Sequence, residues 1–260
     1  MRSTRDSLIC SSCVLLSLIG ALACEPARSG SLPSVLYSED FTNSSTAGLL
    51  TWGSPPPAVA NDALALNGKA LRYQWQSGFE NYNGAFRNLG GEHRVLHVRL
   101  RLRQDAGASN AGIQKIVRYR ANINGTGDRA VGTFNFQWNT LLFNGDDLGD
   151  GNNHVQTLAA THGPNTFRGQ YRYLETRLDY SDPAVQRFRA WVDGSLVIDN
   201  AVALGSPIPA STRLEGVMFL GTFNNPADTR SDWIDDIVIA TGPIGLPASD
   251  LIFASGFELP

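Results

Sequence analysis

Hydrophobic and polar residues alternate strictly along several stretches of this chain. The clearest stretch is Val95–Arg103, in which aliphatic residues from Leu96 onward alternate with basic residues. Successive side chains of a β-strand point to opposite faces of its sheet, so this stretch predicts a strand with one apolar and one cationic face. The cationic face carries His97, Arg99, Arg101 and Arg103.

The same alternation occurs at Thr133–Asn139 and at Arg187–Val192. We expect the polar sides of these strands to form one sheet face that is rich in arginine and side-chain amides. Guanidinium groups pair with carboxylates, and amides hydrogen-bond to sugar hydroxyls, so this face suits an anionic or hydroxyl-rich ligand. The candidate ligand-binding residues are Arg99, Arg101, Arg118, Asn135, Gln137, Arg189 and Trp191.

Turn-forming residues separate these strand-like segments, and the chain contains few helical patterns. Asp193-Gly194 has the spacing of a two-residue hairpin turn, because both residues tolerate a positive φ. The result is a predicted antiparallel meander. Its strands are expected near Val35–Tyr37, Ala63–Leu66, Leu71–Trp75, Val95–Arg103, Ile113–Ile123, Phe134–Trp138, Thr140–Phe143, Arg168–Asp179, Gln186–Val192, Leu196–Asp199, Leu214–Phe223 and Trp233–Ala240.

Length and composition favour a single all-β domain. The 260 residues include 26 glycines and 13 prolines, as expected where turns join many strands. Charged residues make up 17% of the chain and the net charge is −3, so no nucleic-acid partner is expected.

The N-terminus reads as an export signal. Arg2 and Arg5 precede an apolar run that ends in Ala21-Leu22-Ala23, a small-residue cleavage site. Residues 1–23 are therefore predicted to be a signal peptide and residues 24–33 a short tether. Cleavage would leave Cys24 first, which resembles a bacterial lipoprotein site. Lipid anchoring to a membrane through Cys24 and simple secretion both remain open.

Two further segments carry a resemblance to a known fold. Phe188–Val197 and Trp233–Ile239 resemble the W-x-D-G hairpin and the final strand of concanavalin A-like jelly rolls. This superfamily includes laminin-G-like modules, legume-type lectins and several polysaccharide lyases. Tyr37–Phe41 and Gln114–Tyr119 resemble other strands of these proteins. The resemblance implies a two-sheet antiparallel sandwich over residues 34–242 with one concave polar face for a ligand.

The C-terminal residues 243–260 are predicted to be a tail outside this domain. Asp250–Glu258 resembles a short segment found at the end of exported proteins of Gram-negative bacteria. With the signal peptide, it predicts a secreted protein or an outer-membrane lipoprotein of such a bacterium.

The resemblance also bears on a metal. First and last strands of such jelly rolls often lie side by side, which would bring Asp40 and Asp236 together as ligands of a structural calcium ion, the one cofactor considered. Carboxylates that simply face solvent are the alternative.

Three functions remain open at this stage. An extracellular module that binds polysaccharide would need exposed aromatic residues such as Trp75, Tyr82 or Trp191. A lyase acting by β-elimination on a uronate polymer would need a group that neutralises the carboxylate and a base. A surface structural or adhesive protein would need neither. The lyase candidates are His97, Arg118, Gln137 and Tyr171, although the familiar Q-I-H and Y-F-K-x-G signatures of alginate lyases are absent.

Overall fold

In the computed structural model, the alternating segments form antiparallel strands throughout. The structure describes residues 33–247 except 47, 79, 109–111, 123–127, 138–139, 146–153, 158–163, 205–206 and 225. A single short 3-10 helix, Pro164–Phe167, is described beside fifteen strands. The strands are β1 Val35–Glu39, β2 Leu50–Trp52, β3 Ala58–Asn61, β4 Lys69–Trp75, β5 Gly84–His93, β6 Val95–Gln104, β7 Ile113–Asn122, β8 Asp128–Gln137, β9 Thr140–Gly145, β10 His154–Thr157, β11 Arg172–Asp179, β12 Val185–Val192, β13 Ser195–Ala203, β14 Arg213–Asn224 and β15 Arg230–Ala240.

The strands form two sheets. Sheet A has the order β13-β12-β11-β6-β15-β4-β3, and β1 also pairs with β15. Sheet B has the order β10-β9-β8-β7-β14-β5-β2. The two sheets make an all-β, concanavalin A-like jelly-roll sandwich, which confirms the predicted fold class. The first and last strands of the domain are neighbours, as expected.

The apolar sides of the alternating strands meet between the sheets. Leu96, Val98, Leu100 and Leu102 of β6 are completely buried, as the sequence predicted. Rings from the two sheets also touch: Phe143 on β9 stacks on Phe188 on β12, with centroids 3.9 Å apart. Each strand therefore has one side in the core and one side on an outer face of the sandwich.

The predicted two-residue hairpin is confirmed. Val192 pairs with Ser195 across the turn between β12 and β13. Asp193 and Gly194 have φ values of 47° and 77°, the left-handed conformation that such a turn requires.

The predicted strand at Ala63–Leu66 is wrong, because local hydrogen bonds fold these residues into a turn. The Asp62 carboxylate accepts a hydrogen bond from the Leu64 amide at 3.2 Å, and the Ala65 amide donates to the Asp62 carbonyl at 3.0 Å. The Leu66 amide also donates to the Asp235 carboxylate of β15 at 2.8 Å. This hydrogen bond holds the turn against the outer face of sheet A.

The expected single polar face is also wrong. β6 and β12 lie in sheet A, whereas β8 lies in sheet B, so their polar sides face opposite ways. The alternation within each strand was correct. It carries no information about which sheet a strand joins, because that depends on pairing between residues far apart in the sequence.

Several predictions fall outside the described residues. These are the signal peptide, Cys24, most of the tether and the tail from residue 248 onward. Within the described part of the chain, no helix is long and apolar enough to cross a membrane.

Candidate functional site

The arginine row of β6 lies on the outer face of sheet A, where carboxylates already hold it. Arg99 is 2.8 Å from Asp236, and Arg101 is 2.6 Å from Asp235. Two residues further along β6, Arg103 donates to Asp62 at 2.6 Å. Arg99 and Arg103 are each only 8% exposed. This row is therefore neutralised by the protein itself.

Tyrosine rings pack against the same row. The Arg101 guanidinium lies 4.5 Å from the centroid of the Tyr171 ring, and the Tyr171 hydroxyl donates to Asp62 at 2.6 Å. Burial, followed by the hydrogen bond to Asp62, raises the pKa of Tyr171 well above its usual value. The Tyr171 hydroxyl is therefore part of the hydrogen-bond network around Asp62.

His97, another of the predicted lyase residues, is also enclosed on sheet A. It is 3% exposed, and its Nδ1 lies 3.0 Å from Glu175 of β11. The Glu175 carboxylate also accepts hydrogen bonds from the amides of Ile244 at 3.0 Å and Gly245 at 2.9 Å. Residues 243–246, called the strap below, therefore run over this part of sheet A instead of leaving the domain after β15.

Two more predicted ligand-binding residues lie on this face. Trp191 of β12 stacks beside His97, with ring centroids 6.2 Å apart. Arg189 is paired with Asp199 of β13 at 2.8 Å, in a more exposed position.

A groove of about 320 Å³ opens on the outer face of sheet B. Cross-strand register places Arg118 of β7 directly beside Met218 of β14. The groove is lined by Trp52, Glu80, Tyr82, Lys115, Arg118, Met218, Gly221 and Asn224.

The groove combines cationic, aromatic and hydroxyl groups. Lys115 and Arg118 supply two positive charges, and Trp52 and Tyr82 supply aromatic rings. Tyr82 is 57% exposed and hydrogen-bonds to Glu80, which raises the pKa of the Tyr82 phenol. Such a groove suits a ligand with negative charges, apolar ring faces and hydroxyls.

The loop that carries Glu80 and Tyr82 is tied to β14 by Asn81. The backbone amides and carbonyls of Asn81 and Phe223 exchange two hydrogen bonds, of 3.1 and 3.0 Å. The Asn81 side chain also bonds to both the amide and the carbonyl of Gln76. These contacts fix the loop at the rim of the groove.

A buried polar cluster lies beneath β7, next to Lys115. Gln114 points into the core and donates to Asp232, which also accepts a 2.6 Å hydrogen bond from the Trp75 indole. Burial is the main cause of the raised pKa of Asp232. Trp75 is 0% exposed, so its prediction as a surface aromatic was wrong.

The structure brings together only part of the predicted site. Arg118 lines the groove, and Asn135 of β8, itself fully buried, pairs in register with Lys115. The backbone of Gln137 lies at the end of β8, but its side chain is outside the described residues. The remaining predicted residues lie on sheet A, so the expected cluster with Arg118 was wrong; they are Arg99, Arg101, Arg189, Trp191, His97 and Tyr171.

Six of the eight groove residues were not predicted from the sequence, namely Trp52, Glu80, Lys115, Met218, Gly221 and Asn224. Trp52 belongs to the three-residue strand β2, which is too short to show alternation. Lys115 precedes a bulge between β7 and β8, where the register shifts. Tyr82 is one of the exposed aromatic residues that the sequence predicts, and the structure places it in the groove.

The side chains predicted to hold calcium do not fit a calcium site as they are arranged. β1 pairs with β15 up to Glu39 and Ile237, so Asp40 does follow next to Asp236. However, Asp236 is bound by the Arg99 guanidinium, and Asp40 accepts hydrogen bonds from the Thr42 amide and the Asn67 side chain. Among the described residues, no group of three or more acidic, histidine or cysteine side chains could hold a metal ion.

No model of a known protein family matches the chain, and no curated protein matches it either. Solved structures, by contrast, share its fold. An endo-β-1,4-glucuronan lyase from the fungus Trichoderma reesei superposes with a TM-score of 0.60 at 12% identity, covering 80% of this chain and 96% of the lyase.

Two further structures are similar. The cellulose-induced protein Cip1 superposes with a TM-score of 0.58 at 16% identity, covering 81% of this chain and 100% of Cip1. The alginate lyase vAL-1 from a Chlorella virus superposes with a TM-score of 0.55 at 9% identity, covering 72% and 89%. At these identities the likeness concerns the fold alone, and it confirms the two-sheet jelly-roll sandwich.

Proposed function

We propose that this protein binds an anionic polysaccharide in the groove on the outer face of sheet B. The observation that carries the proposal is the presence of Lys115 and Arg118 in the same groove as Trp52 and Tyr82. Cations attract the carboxylates of a uronate polymer, and partly exposed rings take up the apolar faces of its sugars. The solved structures that share this fold include a glucuronan lyase and an alginate lyase, and this similarity supports an anionic polysaccharide as the ligand.

The outer face of sheet A is the weaker candidate for this role. Arg99, Arg101 and Arg103 each contact a carboxylate of the protein. A polymer would have to displace these partners, and breaking a buried ion pair costs several kcal/mol. This face is therefore not the binding face that we propose.

The test is to replace the groove cations and measure binding of polyglucuronate by calorimetry. Arg118→Gln and Lys115→Gln should each weaken binding by about ten-fold or more, because charge-assisted hydrogen bonds contribute roughly 1.5 to 3 kcal/mol. Binding by the parent should also weaken as salt concentration rises. Arg189→Gln on sheet A is the matched control and should bind as the parent does. Unchanged binding by both groove variants would contradict the proposal.

A lyase activity in the same groove is the second candidate, because the Tyr82 hydroxyl lies there with Arg118. In β-elimination, the cations would neutralise the carboxylate, and the Tyr82 phenol would first pass its proton to Glu80, its hydrogen-bond partner. The Tyr82 oxygen would then take the C5 proton while the C4–O bond breaks and a C4–C5 double bond forms. The departing oxygen would receive the proton held by Glu80, so that Tyr82 and Glu80 both return to their starting protonation states.

Product formation separates binding from elimination. Unsaturated uronates absorb in the ultraviolet, so absorbance should rise during incubation with the polymer if the protein is a lyase. Tyr82→Phe should then abolish the rise while leaving binding nearly unchanged. Binding without any rise in absorbance identifies a binding module. A protein that neither binds nor cleaves would leave the structural or adhesive role.

A further inference from the structure

Large apolar side chains lie flat against glycines on the outer face of sheet B. The six-membered ring of the Trp52 indole occupies the space that a Cβ atom on Gly84 would fill. The Met218 side chain occupies the corresponding space over Gly221. A residue other than glycine at either position would push the covering side chain outward, so the glycines allow this close approach.

Phe86 of β5 lies between Trp52 and Met218 and also packs against a glycine. Its ring lies against Gly216 of β14 in the same manner, and Phe86 pairs in register with Met218. Trp52 pairs with Gly84 two residues before Phe86. The three side chains thus form one continuous layer across β2, β5 and β14, called the apolar platform below. It lies beside Arg118, which pairs with Met218.

We propose that the apolar platform is a stacking subsite for a pyranose uronate whose ring substituents are equatorial, as in a β-1,4-linked glucuronate. This inference rests on the proposed function and names the sugar geometry that the groove selects. Such a ring presents only C–H groups on its two faces, with its hydroxyls and carboxylate at the rim. One face stacks on Trp52, and the carboxylate reaches Arg118 and Lys115.

The selectivity follows from desolvation. A flat C–H face releases water from itself and from the indole when the two come into contact. An axial hydroxyl pointing at the indole would lose its water without gaining a hydrogen-bond partner. A polymer with axial substituents, such as polyguluronate, therefore binds less tightly than polyglucuronate although both carry one carboxylate per sugar.

The experiment compares three oligomers of equal length by calorimetry. Glucuronate and guluronate oligomers differ in ring geometry, whereas glucuronate and β-1,4-linked glucose oligomers differ only in the oxidation of C6. The parent should bind the glucuronate oligomer about ten-fold or more tighter than the guluronate oligomer. The reason is that guluronate would lose the stacking contact on Trp52 and would bury an axial hydroxyl without a hydrogen-bond partner.

Variants separate the two recognition elements. Trp52→Ala should weaken glucuronate binding by about ten-fold and remove most of the preference over guluronate, while keeping the preference over the glucose oligomer. Arg118→Gln should also weaken glucuronate binding, but it should keep the preference over guluronate and remove most of the preference over the glucose oligomer. Trp191→Ala on sheet A is the matched control and should behave as the parent. Ligand binding should also change the tryptophan fluorescence of the parent, and Trp52→Phe should lose that change.

The outcomes distinguish the inference from the proposed function. If Arg118→Gln weakens binding but Trp52→Ala does not, or if the guluronate oligomer binds as tightly as glucuronate, the stacking inference is overturned and the proposed function stands. If the parent binds neither uronate, both fail. If melting curves show that Trp52→Ala does not fold, Trp52→Phe fluorescence and the parent's selectivity between oligomers decide the question.

Discussion

At the scale of single residues, Asp62 shows how a carboxylate of the protein pairs with the arginine row of β6 and stabilises the folded state. Its carboxylate accepts hydrogen bonds from Arg103, from the Tyr171 hydroxyl and from the Leu64 amide. Burial alone would raise the pKa of Asp62, but these donors outweigh it and lower the pKa below its usual value. A carboxylate held in this way stabilises the folded state when it is ionised.

Asp62→Asn should lower the free energy of unfolding by about 1 to 3 kcal/mol at neutral pH, because Arg103 would lose its nearer carboxylate and keep only Asp105, 3.6 Å away. The folded-state pKa is depressed, so this stability is present above the unfolded pKa of 3.8 and is lost as pH falls through the folded-state value. Urea unfolding at neutral and acidic pH should therefore show a gap between parent and variant that closes on acidification.

Asp199→Asn is the matched control for this prediction. Asp199 also pairs with an arginine, Arg189, but both side chains are substantially exposed. Exposed pairs contribute at most about 1 kcal/mol, so this variant should unfold almost as the parent does. Equal effects of the two substitutions would show that the Asp62 network does not stabilise the fold.

At the scale of structural elements, Glu175 and Arg99 hold the strap to sheet A. Glu175 accepts hydrogen bonds from the Ile244 and Gly245 amides, and Arg99 donates to the Gly245 carbonyl at 2.8 Å. Burial would raise the pKa of Glu175, but the hydrogen bonds from His97 and the two amides lower it overall.

Glu175→Gln should release the strap, because an amide cannot accept all of these hydrogen bonds at once. We expect a loss of about 1 to 3 kcal/mol in unfolding free energy and faster hydrogen exchange at the Ile244 and Gly245 amides. In the parent, the depressed pKa means that this stability is present above the unfolded value of 4.5 and is lost as pH falls through the folded-state pKa.

Exchange rates corrected for intrinsic pH dependence measure the effect. The parent's two strap amides should lose protection in acid, whereas those of the variant should be unprotected throughout. Glu92→Gln on β5 of sheet B is the control and should leave the strap amides protected. Slow exchange in Glu175→Gln at neutral pH would show that other contacts hold the strap.

A second element, the β12–β13 hairpin, gives a simpler prediction. Gly194 has a φ of 77°, and a Cβ there would also lie 3.3 Å from Leu246 of the strap. Gly194→Ala should therefore destabilise the protein by about 1 to 2 kcal/mol, seen as a lower melting temperature. Gly107→Ala serves as control, because a Cβ at Gly107 meets nothing within 4 Å. A parent-like melting curve for Gly194→Ala would contradict the strained turn.

At the scale of the whole molecule, the ends of the described domain lie together on sheet A. The Ser34 amide donates to the Thr241 hydroxyl at 3.2 Å, and the Thr241 amide donates to the Ser34 carbonyl at 3.1 Å. The proposed ligand groove lies on sheet B.

We propose on the basis of the sequence that the protein is exported and begins at Cys24 when mature. Mass spectrometry of the protein from its native host should show the loss of residues 1–23. An added diacylglycerol mass on Cys24 would identify a lipoprotein, and its absence a secreted protein. An intact Met1 would contradict export by this signal. A chain starting at residue 33 should bind ligand as the mature chain does.

The amino-acid sequence by itself determined the strands that alternate and the turn that needs two left-handed residues. It did so because these features depend on neighbours within a few residues: the side-chain period of a strand is two, and Asp193-Gly194 suits a type I′ turn. The sequence also indicated the sandwich through the resemblance of its last strands. Local patterns thus predicted the fold class well.

The tertiary structure alone decided which polar side chains share a surface. Arg99 and Arg118 look alike in the sequence, but Arg99 lies beside Asp236 of β15 in sheet A, whereas Arg118 lies beside Met218 of β14 in the groove of sheet B. The groove joins residues from β2, β7, β14 and the loop before β5, which are distant in the chain. Long-range strand pairing sets these neighbours, and a pattern with a period of two residues does not encode it.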